Sequence, residues 1–112
     1  MTIKDFALYR KGANPEKYIN KIQELIHDEV FSKYSENPLL LNIVSQIIGD
    51  DISIVNSTVI NKPPGSNAHS PHQDAIYTPF RPIDKVVGVW TALEQTTIEN
   101  GCMFFVPGSH KE

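Results

Sequence analysis

The sequence predicts an α+β, mainly β architecture, with two helices packed on a largely antiparallel sheet, and three observations carry that prediction. Hydrophobic period changes near the middle of the chain, two Asn-Pro pairs open apolar segments of helical period, and β-branched runs separated by turn residues follow. The 112 residues are read as one domain, with a helical part at about 14–49 and a β part at about 50–112. In "NPEKYINKIQELIHDEVFSKY", Asn14 stands as the cap and Pro15 at the first helical position, while Ile19, Ile22, Ile26 and Val30 recur at three and four. The second segment, "ENPLLLNIVSQIIGDD", again opens with Asn then Pro, sets Leu40, Ile43, Val44, Ile47 and Ile48 on one side, and stops at Gly49. Beyond it, "ISIVNSTVI" (52–60), "KVVGVWTAL" (85–93) and "CMFFVPG" (102–108) read as strands, with "KPPGSNAHS" and "EQTTIENG" as loops.

Composition narrows the function classes. Ten Lys and Arg against 13 Asp and Glu give a net charge of −3 and no basic footprint, which argues against nucleic acid as a partner. The single Cys102 rules out an internal disulfide framework, fits a reducing compartment and reads as a small buried hydrophobe. No run of eighteen apolar residues occurs and the N-terminus has no apolar signal core, so the expected protein is intracellular and has no membrane span.

Chemistry enters through histidine and acid two positions apart. Four His and 13 acidic residues should give about half such a pair by chance. The chain holds three: His27 with Glu29, His72 with Asp74, and His110 with Glu112. On the expected first helix, His27 and Glu29 lie roughly 200° apart and cannot grip one ion. His110 and Glu112 follow Pro107-Gly108 in a terminal segment. His72 and Asp74 fall at an expected strand start, where both side chains leave one face; they supply two corners of a 2-His-1-carboxylate iron triad, or else a surface pair sharing a hydrogen bond.

The elements "INKPP", "HQD", "PFRP", "WTALE", "NGC" and "PGSHK", in that order, resemble the phytanoyl-CoA dioxygenase family of non-haem iron oxygenases, and "INKPP" and "PFRP" resemble its 2-hydroxylase branch most. "PEKYINKIQEL" also looks like the family's helix, so the resemblance runs over nearly the whole chain. It implies a double-stranded β-helix, the jelly-roll or cupin-like sandwich, flanked by helices. By the same resemblance His72 and Asp74 match two iron ligands. Lys21 matches a lysine reaching the 2-oxoglutarate carboxylate, and Thr58 and Trp90 match pocket-lining positions. Gln73 matches a residue whose backbone lies against that pocket. Lys21 also reads as a solvated helix-edge lysine, and Trp90 as core packing. Arg81 reads as a phosphate or carboxylate contact or as the partner of a nearby acid, while Tyr77 and Phe80 either wall an acyl channel or pack the loop. Asn100-Gly101 suits a tight turn between strands.

The implied activity is an Fe(II)- and 2-oxoglutarate-dependent hydroxylation of a branched fatty acyl-CoA at carbon 2, a step of fatty acid alpha-oxidation, with 2-oxoglutarate as cosubstrate and ascorbate as an optional addition. The resemblance also implies a peroxisomal setting, although no targeting signal of the S-K-L type ends the chain. In the family the third iron ligand, a His, and a cation for 2-oxoglutarate follow downstream of "PGSHK", and neither His110 nor His69 replaces that ligand. The chain is therefore expected to be a middle fragment of a dioxygenase domain, with weak iron affinity and an open sheet edge prone to self-association. Three readings stay open: a partial record of such an enzyme, a non-catalytic binding or regulatory remnant, and a site completed by another chain.

Overall fold

The computed structural model describes residues 1–4, 9–12, 14 and 18–111. Two compact units divide the chain, Met1–Asn67 and Ala68–Glu112, and each is described by itself.

The first unit holds a three-stranded antiparallel sheet of order β1-β2-β3, with β1 at Thr2–Lys4, β2 at Ile19–Gln23 and β3 at Thr58–Ile60. Thr2 faces Ile22 and Ile3 faces Lys21 across one ladder; Lys21 faces Ile60 and Gln23 faces Thr58 across the other. Backbone bonds extend the pairing past the strand ends, from Gln23 N–H to the Met1 carbonyl at 2.8 Å and from Asn61 N–H to the Asn20 carbonyl at 2.8 Å. Asn61 also donates its side-chain amide to the Ile19 carbonyl at 3.0 Å, so one residue locks the end of β3 to the start of β2. Beside β1, the Lys4 ammonium lies 5.6 Å from the centroid of the Tyr18 ring and 5.8 Å from that of Tyr9. The two rings meet edge to face at 5.3 Å, an arrangement that suits their quadrupoles and places the cation on their electron-rich side.

This sheet corrects the expected first helix. Ile19 and Ile22 lie in a strand, and Pro15 lies outside the described residues. Isoleucine is stiff at χ1 and packs readily on a pleated surface, so a run with apolar residues at three and four also makes a strand once partners stand on both sides. Glu24, in the left-handed region at φ 64°, ends the strand, and a short 3₁₀ turn follows at Leu25–His27.

Helix α1, Ser32–Ser35, follows a turn held by Asp28, whose Oδ1 accepts from the N–H of Val30 at 2.9 Å and of Phe31 at 3.1 Å. Those bonds, Phe31 first and Val30 second, hold the Asp28 carboxyl below the usual carboxylate range. Because the folded state lowers this pKa, the contribution of these turn bonds is present above the ordinary value of 3.8 and is lost as pH falls through the lowered folded value. Amide exchange at Val30 and Phe31 is therefore expected to quicken, after correction for intrinsic rates, on acidification below that ordinary value. Asp28→Asn keeps the acceptor and should remove this pH dependence.

Helix α2, Pro38–Ile48, follows the sequence expectation closely. Asn37 caps it through Oδ1, accepting from Leu39 N–H at 3.0 Å, Pro38 takes the first turn, and Gly49 at φ 94° ends it while donating to the Ser45 carbonyl. Its inward face differs from the expected set. Val44 is buried and Leu40, Leu41 and Ile48 are half-buried, whereas Ile43 and Ile47 are 62% and 61% exposed. Leu25 and Ser35, with Val44, are the buried residues among those described in this unit.

In the second unit the expected strands 85–93 and 102–108 do not form, and no jelly roll is present among the described residues. Short 3₁₀ turns at Asp74–Ile76, Ile83–Lys85 and Ser109–Lys111 alternate with extended chain. A β-rich composition supplies only propensity; a strand exists once a second segment pairs with its backbone, and residues 85–107 have no such ladder. The Asn100-Gly101 turn does form, with Gly101 at φ 90°, but without flanking strands. No described helix is long and apolar enough to cross a membrane.

Candidate metal centre

Gln73 is extended, at φ −108° and ψ 127°, and Asp74 opens the 3₁₀ turn Asp74–Ile76. His72 and Asp74 are thus not in a paired strand, as expected, yet one extended residue between them is enough to return both side chains to the same side. His72 Nε2 lies 3.4 Å from Asp74 Oδ1, with the two side chains 43% and 73% exposed.

The other ring nitrogen defines the chemistry of this pair. His72 Nδ1 is 2.7 Å from the Ser70 carbonyl oxygen. A carbonyl only accepts, so Nδ1 carries the hydrogen, and in the neutral ring the lone pair is on Nε2, the atom facing the carboxylate. Two electron-rich atoms then converge, an arrangement that calls for a cation or a proton between them. Donors at about 2.1 Å from one ion and roughly 90–110° apart stand about 3.0–3.4 Å from each other, which matches this pair. A metal-bound imidazole that donates its second N–H to a carbonyl is the usual orienting arrangement. With a protonated ring the same atoms instead make an exposed, weak ion pair.

Three neighbours shape the site, and the sequence reading placed none of them beside His72 or Asp74. Ser70 supplies the orienting carbonyl. The Tyr77 ring meets the His72 ring edge to face at 5.8 Å. Gly88 lies against the acid: a Cβ there would stand 3.5 Å from Asp74 Oδ2. An isolated glycine inside the β-rich run "KVVGVW" was the available signal of such a close approach. Gly88→Ala is expected to be tolerated, because that distance is ordinary contact. Gly88→Val should crowd the carboxylate and weaken Co(II) binding by about tenfold, as other disturbances around metal ligands do, in a titration followed by the visible cobalt spectrum.

The remaining candidates divide between the units. Lys21 and Thr58 are in the first, on β2 and β3; directly paired residues share a sheet face, so Lys21, Gln23, Thr58 and Ile60 all stand on one side of the sheet. Gln73 and Trp90 are in the second. The Gln73 side chain donates through Nε2 to the Ser109 carbonyl at 2.5 Å, and Trp90 is 45% exposed rather than packed in a core. Arg81 donates to the carbonyls of Phe80 at 2.6 Å and Thr78 at 3.3 Å, holding its own loop. Cys102 is a free, half-buried thiol. Among the described residues no group of three or more His, Cys, Asp or Glu is gathered to hold a metal ion.

An Asp and a His with an oriented imidazole, brought together, are of the residue types that hold a mononuclear metal ion. Comparison with known proteins specifies the class further: residues 3–112 match the phytanoyl-CoA dioxygenase (PhyH) family, and the chain belongs to it. Over 103 residues it is 40% identical to a probable phytanoyl-CoA dioxygenase of Caenorhabditis elegans, covering 86% of this chain and 33% of that protein. The human peroxisomal phytanoyl-CoA dioxygenase is 40% identical over 103 residues, covering 88% of this chain and 30% of the relative. A mouse phytanoyl-CoA dioxygenase domain-containing protein 1 is 39% identical over 99 residues, covering 86% and 34%. The chain spans about a third of the length of these curated relatives. No solved structure matches it.

Proposed function

We propose that this chain carries the first part of an iron(II) site in a 2-oxoglutarate-dependent dioxygenase that hydroxylates a fatty acyl-CoA at carbon 2. The observation that carries the proposal is the His72–Asp74 pair, with Nε2 and Oδ1 3.4 Å apart and Nδ1 tied to Ser70. Family membership and relatives named phytanoyl-CoA dioxygenase support the reaction and substrate class. A relative named as peroxisomal supports the same compartment for the whole protein.

His72 Nε2 and Asp74 Oδ1 would hold the metal, which when bound together with 2-oxoglutarate supplies the oxidant for an unactivated C–H bond. Ser70 keeps the proton on Nδ1, so Nε2 stays a donor. Tyr77 restrains the ring from its edge, and Gly88 leaves the Oδ2 side of the carboxylate uncrowded. In the same proposal Gln73 and Trp90 of the second unit contribute to the cosubstrate pocket. Self-association would use an edge of the β1-β2-β3 sheet.

Anaerobic addition of iron(II) and 2-oxoglutarate tests the reading. A visible charge-transfer band in the isolated chain supports a complete cosubstrate site. A band only at high protein concentration supports a site completed by a second chain. No band at any concentration, in this chain or in the full natural product of its gene, overturns the dioxygenase reading and leaves a non-catalytic member of the family.

A further inference from the structure

Between the two proposed metal donors lies a residue whose side chain faces away from both and reaches far along the chain. Gln73 donates to the Ser109 carbonyl, 36 positions on, from a half-buried location. Ser109 opens the 3₁₀ turn Ser109–Lys111, which is closed on itself by Ser109 Oγ to the Val106 carbonyl at 2.9 Å and by Lys111 N–H to the Gly108 carbonyl at 3.1 Å. This turn also depends on Gly108, which adopts φ 83°, a conformation that strains any side chain.

We propose that Gln73 is a positioning residue: its bond to Ser109 anchors the backbone from behind and thereby holds His72 and Asp74 at the separation a metal needs. The inference rests on the metal reading above. Its physical basis is the local geometry. Among the described residues the side chains of His72 and Asp74 are exposed and make hydrogen bonds or ion pairs only with Ser70 and each other, besides the Tyr77 ring against His72 and Gly88 beside Asp74, so their own polar bonds do not tie residues 72–74 to a distant segment. The amide of Gln73 is the hydrogen bond from this stretch to a distant segment of its unit. A donor pair preorganised in this way loses less freedom when an ion arrives, which is how groups outside the ligand set raise affinity.

Gln73→Met keeps length and removes the donor. Gly108→Ala strains the acceptor's turn while its added Cβ meets nothing within 4 Å, so it acts on Ser109 without a new contact. In the 112-residue chain, with Co(II) as probe and the His72 ring resonances as readout, each change is expected to weaken binding about tenfold or more. The double variant should be no weaker than the worse single one, because both break the same bond. Unchanged affinity in Gln73→Met, or strictly additive losses, would overturn the proposal. If Gln73→Met does not fold, Gly108→Ala decides alone: weaker binding supports the anchor and equal binding defeats it. Should Co(II) leave the His72 resonances unmoved in the parent chain, the metal reading fails by itself. The anchor is then judged in the metal-free protein by the cross-relaxation between the His72 and Tyr77 rings, whose loss in Gln73→Met supports it and whose retention overturns it.

Discussion

Replacing His72 or Asp74 with alanine is expected to reduce Co(II) or iron(II) affinity by about a hundredfold or more, above the range seen when only a supporting contact is lost. With His72→Ala the site loses its one oriented imidazole; with Asp74→Ala it loses the charge that balances the ion. The two changes should also be non-additive, since either leaves a lone donor that binds little better than none. Asp74→Glu should fall between the parent chain and Asp74→Ala, because it keeps the charge but moves the oxygen away from the 3.4 Å spacing to Nε2. Titration with each metal, read through the His72 resonances and the cobalt spectrum, checks the series. Affinity that survives Asp74→Ala would show that the pair is only an exposed contact between imidazole and carboxylate.

The second large effect is expected at Asn100. Its Oδ1 accepts from Thr97 N–H at 2.6 Å, its Nδ2 donates to the Gln95 carbonyl at 2.8 Å, and its own N–H reaches Thr97 Oγ1 at 3.3 Å. The loop then closes through Cys102 N–H to the Thr97 carbonyl at 2.9 Å, with Gly101 at φ 90° making the reversal. Asn100→Ala removes two side-chain bonds, a loss of about 1–2 kcal/mol at typical net values. Such a loss corresponds to an approximately 5- to 30-fold rise in opening of the turn. Hydrogen exchange at the Cys102 amide reads that opening directly. Gly101→Ala should act in the same direction by forcing a side chain into the left-handed region. If Cys102 exchange is unchanged in Asn100→Ala, the turn is held by its backbone bond and the glycine alone.

Local signals were legible wherever one residue type has one physical use. Asn37 before Pro38, with Gly49 beyond the last apolar residue, marked helix α2 from cap to stop, because each of these residues solves a terminus problem with its own atoms. Asn100-Gly101 marked its turn for the same reason. The His72–Asp74 pair was also legible, although the expected strand was absent: side-chain alternation needs only one extended residue, and Gln73 supplies it. Ile43 and Ile47 show the limit of a helical period. It finds an apolar stripe but not its rotation, and the packed side of α2 turned out to be Leu40, Leu41, Val44 and Ile48.

What the sequence determined by itself is therefore membership of the family, helix α2, the Asn100 turn and the pairing of His72 with Asp74. All of these depend on residue types read a few positions at a time. Tertiary structure decided that Ile19–Gln23 is the central strand of a sheet, because its partners Thr2–Lys4 and Thr58–Ile60 stand far away in sequence and only their backbone bonds tip an isoleucine-rich segment from helix to strand. It decided as well that Ser70 orients His72, that Gly88 borders Asp74 and that Gln73 reaches Ser109. Each of these depends on how the backbone bends between the residues concerned, and residue order alone does not specify that path.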